Sequence, residues 1–153
     1  MHLLSELTDW EKMFKVMVWK QLGEIGGRKI LDFGSGQGIA SIVKHNRAGR
    51  VMQMAVLLDD MEQANNLLDG KNSTASKFGS IRYYEDEDIH KWSGELKLTD
   101  TFGIRTFWDL QQNQGKHSIE DWQEKMLQLE ERVSIIKEYR EIAFFHHIIF
   151  TKE

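Results

Sequence analysis

The sequence predicts an α/β domain, and three observations carry that prediction. An apolar run over Lys29 to Phe33 reads as a buried strand and feeds directly into closely spaced glycines at Gly34, Gly36 and Gly38. Amphipathic helical patterns stand near both ends of the chain, and two runs rich in β-branched and aromatic residues, 96–107 and 143–153, read as strands.

Taken in order, Thr8 and Asp9 suit the cap of a helix in which Trp10, Phe14, Val18 and Leu22 recur every fourth residue, with Gly26 and Gly27 to end it. The strand over Lys29 to Phe33 and the glycine turn follow. Residues 51 to 70 start apolar, turn polar and stop at Gly70, a pattern that favours helix over strand, with the apolar first half open to either. The polar stretch 71–80, KNSTASKFGS, is loop by composition. IRYY, 81–84, reads as a short strand, and EDEDIHKW, 85–92, as a short helix whose acids suit its N-terminal dipole. The run 96–107 is a strand expected to be interrupted near Gly103. Ser118 with Asp121 is expected to open the clearest helix, on which Trp122, Met126, Leu129, Val133 and Ile136 form one apolar stripe for packing on a sheet. AFFHHIIFTKE closes the chain as a strand on which His146 and His147 face opposite sides, one expected buried and one exposed.

Composition bounds the function classes. A chain of 153 residues with 41% hydrophobic residues supports one domain with a core. Cysteine is absent, which excludes disulfides and thiolate metal sites, and the six histidines are scattered, which argues against structural zinc. The first fifteen residues carry acids where an export signal needs an apolar run, and no stretch approaches a membrane span; the expectation is a cytoplasmic protein with no membrane partner. A formal charge of -4 disfavours general polyanion binding. Proline is also absent, where average usage of about 5% would supply several.

The string ILDFGSGQG concentrates the candidate chemistry. Glycines after a strand let the backbone turn sharply and approach a ligand that side chains would exclude. The spacing does not meet the G-x-G-x-x-G of dinucleotide oxidoreductases. Apolar residues, an acid and then G-S-G-x-G closely resemble motif I of class I S-adenosylmethionine (SAM) dependent methyltransferases. That resemblance implies a Rossmann-like fold and SAM as cofactor, with Asp32, Gly34, Ser35, Gly36 and Gly38 at its methionine end. The similarity extends to SIVKHNRAGRVMQMAVLL, GIRTFWDL and LEERVSIIKEYREIAFFHHI, which resemble the C-terminal half of a bacterial group that includes tRNA 5-carboxymethoxyuridine methyltransferase. In that group the first of these segments is the fifth strand and the element after it. Residues 1–40 then hold the N-terminal helix, strand one and motif I, and 41–153 the C-terminal half, of one methyltransferase-like domain. A modified tRNA base as methyl acceptor is implied by this resemblance alone.

The chain departs from the family in the middle. Were Lys29–Phe33 and Ser41–His45 parallel neighbours, the seven residues 34–40 would have to make a crossover that needs about a dozen. The sequence therefore resembles a methyltransferase with its central section deleted, and the absence of proline agrees, because the family's proline-containing turn lies in the lost part. Impaired or absent activity is expected, and bare sheet edges predict a homo-oligomer. A second reading makes GIASIVKHN the helix after the glycine loop and RVMQMAVLLDDMEQA a second strand with its acidic terminus, which places Asp59 or Asp60 on a ribose. The alternative function is a non-catalytic remnant or interaction module whose glycine loop is a structural turn. Lys44, His45, Arg47 and Arg50 form the densest basic cluster, read as RNA-phosphate contacts or as a solvated turn. Tyr83, Tyr84, Trp92 and Trp108 are candidates for base stacking, with core packing favoured for most of them.

Overall fold

The computed structural model describes residues 8–24, 39–75, 79–92 and 94–152. Helix α1, Asp9–Glu24, begins where the sequence places it: Glu11 accepts from the Thr8 N–H and hydroxyl, supplying a partner to groups no helical turn can satisfy. Strand β1, Ile39–His45, leads through Asn46 into helix α2, Arg47–Met52, which loosens into a π-helical turn over Gln53–Leu57. Helix α3, Met61–Leu68, is capped by the Asp60 carboxylate, which accepts from the Gln63 N–H at 2.9 Å. Two three-residue strands, β2 (Ser73–Ala75) and β3 (Gly79–Ile81), pair antiparallel. Helix α4, Asp86–Trp92, precedes strand β4, Lys97–Ile104. A 3-10 turn over Trp108–Leu110, helices α5 (Gln114–His117), α6 (Glu120–Val133) and α7 (Lys137–Arg140), and strand β5 (Phe145–Thr151) complete the chain.

The main sheet has the order β1–β5–β4, with β5 antiparallel to both neighbours, so β1 and β4 run parallel to each other. Strand β5 carries the register, from Ile39 opposite Thr151 to His45 opposite Phe145. Its central position explains why Ile148, Ile149 and Phe150 are fully buried. On one face of the sheet Met13, Met17, Ile104 and Trp108 form the core with Val43, Phe145, Trp122 and Met126, which brings α1 and α6 together. The opposite face is covered in part by α4 and α7: His90 stacks on Phe150, and the Arg140 carbonyl accepts from His146. A separate cluster of Met54, Ala64, Leu67, Ile81 and Tyr83 holds α3 to the small hairpin.

The molecule is thus mixed helix and sheet, and several sequence expectations need correction. Residues 39–45 are strand, as the leading reading has Ser41–His45 and against the helix of the second reading, because β5 offers a full antiparallel ladder to that segment. With 51–57 helical and Asp60 occupied as a cap, the ribose-acid reading of Asp59 and Asp60 falls. The stretch 71–80 includes hairpin strands, drawn in by Ser73, whose hydroxyl meets the Tyr83 hydroxyl at 2.6 Å in the core. Strand β4 runs through Gly103 without a break; its irregularity lies between Leu98 and Asp100. Helix α6 starts at Glu120 with Ile119 as its cap residue, and Ser118 instead bonds back to Gly115. Leu129 and Ile136 are exposed, and the inward stripe runs through Trp122, Met126, Leu127, Glu130 and Val133. His146 and His147 do face opposite ways, but both are buried, since the central strand is covered on each side. The strand over Lys29–Phe33, Gly26, Gly27 and the residues of motif I lie outside the described residues.

Candidate functional site

Segments leaving the carboxyl ends of the parallel strands β1 and β4 meet the start of α1 around a cleft of about 670 Å³. This is where ligands bind in open α/β sheets, because the strands end there and loops of free composition begin. Asp9 and Trp10 come from α1, Leu57 and Leu58 from the end of the π-helical turn, and Trp108, Asp109 and His117 from the segment after β4. Indole and imidazole faces beside carboxylates and amides make a cleft suited to a flat ring that also hydrogen-bonds.

Two positions of positive φ adjoin residues that line it, Arg105 through its contacts with Trp10 and Asp109 and Asp59 as the neighbour of Leu58. Arg105 and Asp59 are the non-glycine residues of positive φ among the described residues, at 62° and 50°. Each such conformation costs on the order of 1–3 kcal/mol and persists only where surroundings impose it. At Arg105 the surroundings are explicit: its guanidinium forms a two-pronged pair with Asp109, with Nε to Oδ2 at 2.9 Å, and lies over the rings of Trp10, Phe144 and Phe145. Asp109 is thereby neutralised in place, and one wall of the cleft is stapled to α1. The other wall is fixed by aromatic stacking, with the rings of Trp108, His117 and Trp122 within 5.2 Å of one another and His117 donating to the Gln111 carbonyl.

The turn that carries Trp108 and Asp109 hangs on one carboxylate. Glu130, fully buried on α6, accepts from the backbone N–H groups of Thr106, Phe107 and Trp108 at 2.8, 2.7 and 2.8 Å. Burial pushes its pKa up, opposed by those three donors. Sequence reasoning missed Glu130 because a glutamate in a charged helix reads as solvent-facing; its only signal is that it falls on the same face as Trp122, Met126 and Val133.

The basic cluster resolves differently from either sequence reading. Lys44 pairs with Asp86 at 2.7 Å and donates to the Tyr84 carbonyl, and with His146 it holds the Asp86 carboxyl down at about 2 against the opposing effect of burial. Arg47 donates to the carbonyls of Leu67 and Lys71 and lies over the Tyr83 ring, and Arg50 donates to Gln53. His45 sits among Tyr83, Phe144 and Phe145, with its pKa lowered chiefly by burial and further by Arg50 and Arg105. These cations tie elements together and do not form a free phosphate-binding patch. Among the aromatic candidates Tyr83 and Trp108 are core residues, while Tyr84 and Trp92 are exposed and meet edge to face.

The predicted cofactor residues Asp32, Gly34, Ser35, Gly36 and Gly38 lie outside the described residues; the residue after Gly38 opens β1. No protein-family model matches the chain, and no curated protein matches it. No helix among the described residues is long and apolar enough to cross a membrane.

Proposed function

We propose that the chain is a SAM-dependent methyltransferase-like domain of Rossmann-like ancestry with a reduced sheet, impaired or inactive in turnover. The observation that carries this reading is the strand order β1–β5–β4: two parallel strands flanking an antiparallel one, with a cleft at their carboxyl ends. A mixed end of that kind is common on doubly wound sheets. It supports taking Ser41–His45 as the family's fifth strand and the segments through β5 as its C-terminal half. Asp32, Gly34, Ser35, Gly36 and Gly38 would hold the methionine end of SAM, whose sulfonium supplies an already activated methyl group. The cleft holding Trp10, Asp109 and His117 would then receive a flat acceptor, for which a tRNA base remains the suggestion of the resemblance alone.

Affinity tests the cofactor half of this proposal. Asp60 caps α3 through Oδ1, and the segment Gln53–Leu57 before it is helical, so no strand ends in a ribose-binding acid there. Each hydrogen bond to a charged group contributes about 1.5–3 kcal/mol. SAM and S-adenosylhomocysteine are expected to bind in isothermal titration at least about a hundredfold more weakly than to an intact relative. Gly36→Val should abolish the heat. Absence of saturable binding at high ligand concentration would instead support the non-catalytic interaction module.

That second reading draws on a separate observation: Trp19 on α1 and Trp92 on α4 are 68% and 65% exposed, and Leu68 and Ile135 are exposed as well. Exposed apolar surface drives association. A homodimer or larger oligomer is expected at micromolar concentration and at high salt, measured by light scattering after size exclusion; a monodisperse 18.0 kDa species would refute it.

A further inference from the structure

Three side chains from distant parts of the sequence line up on the α1 face of the main sheet. The Ser41 hydroxyl lies 2.7 Å from His147 Nε2, and His147 Nδ1 lies 2.8 Å from Gln21 Oε1. The Gln21 amide nitrogen donates to the Gly103 carbonyl at 3.1 Å, so its oxygen is the atom turned to the ring. That arrangement places the ring proton on Nδ1 and leaves the Nε2 lone pair to accept the serine proton. His147 and Gln21 are buried whereas Ser41 is exposed, so the hydroxyl is the member that meets a solute. Nucleophile, base and orienting group within hydrogen-bond reach are the parts of an activated serine on any fold.

We propose that Ser41 is a nucleophile activated by His147 and oriented through Gln21, and that it is acylated by small esters. In the step, Ser41 Oγ bonds to the ester carbonyl carbon as its proton passes to His147 Nε2. The tetrahedral adduct collapses with loss of the alkoxide, which takes that proton and leaves as the alcohol. Water then attacks the acyl-serine, giving its proton to His147, and Ser41 leaves as alkoxide and is reprotonated, releasing the carboxylic acid. Burial holds His147 down at about 4, so the ring is neutral at neutral pH with its Nε2 lone pair open, but it is a weaker base than a free imidazole. The orienting group is an amide, which cannot stabilise the imidazolium as a carboxylate would, and turnover is accordingly slow. None of this rests on the methyltransferase reading.

The test uses the whole chain and a fluorophosphonate probe, in which Ser41 Oγ displaces fluoride at phosphorus. A single adduct mapping to Ser41 is expected, absent in Ser41→Ala and formed at least about a hundredfold more slowly in His147→Gln, the usual contribution of a general base. Gln21→Met, which keeps the side-chain length and removes the orienting bond, should slow labelling at least about tenfold even if the histidine variant fails to fold. p-Nitrophenyl acetate should give a burst near one equivalent that Ser41→Ala lacks. No Ser41 adduct under conditions that fully label trypsin, or a labelling rate unchanged in Gln21→Met, would reduce the trio to a buried histidine with saturated ring nitrogens and overturn the proposal.

Discussion

Glu130→Ala is expected to destabilise the protein by about 3–6 kcal/mol, a large share of the roughly 5–15 kcal/mol by which a domain exceeds its unfolded state. The substitution leaves the N–H groups of Thr106, Phe107 and Trp108 without their acceptor at the start of the 3-10 turn. A buried donor left unpaired costs about 1–3 kcal/mol, and water entering the vacated space recovers only part of that. The turn carries Trp108, which is buried against α1, and Asp109, which holds Arg105, so the loss reaches the core and the cleft together. Urea denaturation followed by tryptophan fluorescence measures it. A midpoint that implies less than about 1 kcal/mol would mean the three donors find other partners and that the carboxylate does not organise the turn.

Gly49→Ala gives the second large effect, and its sign is the informative part. Propensity alone predicts a gain of about 0.8–1 kcal/mol for replacing glycine inside a helix. In α2, however, a Cβ at this position would stand 2.2 Å from the Ala143 carbonyl oxygen, 2.6 Å from its carbon and 2.7 Å from Phe144 Cα. That backbone cannot retreat freely, because the Asn46 amide donates to the carbonyls of Glu141 and Ala143, each at 2.7 Å. Overpacking costs about 1–3 kcal/mol even where side chains can yield. A loss of about 3 kcal/mol or more is expected, read as a lowered melting temperature in calorimetry. An alanine variant that melts at or above the parent would show that α2 shifts away from the Ala143–Phe144 backbone and that the close approach is dispensable.

Both effects concern residues whose roles are invisible one segment at a time. Glu130 looks like one acid among many in EDWQEKMLQLEERV, and Gly49 looks like a loop residue after KHN. The same holds for the site. Ser41 and His147 are separated by 106 positions and Gln21 and His147 by 126, so no spacing rule could have paired them. Arg105, Asp109 and Trp10 meet for the same reason, through the packing of α1 on the end of β4. Positive φ at Arg105 has no sequence signal, since arginine has no preference for that region of backbone space.

By itself the sequence determined the elements whose apolar period is long or whose caps are strong. Helix α1 was set by its fourfold repeat and the capping residues Thr8 and Asp9, helices α3 and α4 by the helical pattern of 51–70 and the acids of 85–92, and strand β5 by its apolar and aromatic residues. It also determined the mixed helix and sheet class. Tertiary structure alone decided the rest. Residues 39–45 could take either conformation, and the ladder offered by β5 made them strand, because an edge of unpaired backbone groups is costly and a seven-residue partner removes that cost. The inward face of α6 turned to Glu130 and away from Leu129, because three converging N–H groups outweigh the burial of one leucine where the 3-10 turn meets the helix. Local pattern fixes what a segment prefers, and only the partner it meets fixes which of two near-equal preferences is realised.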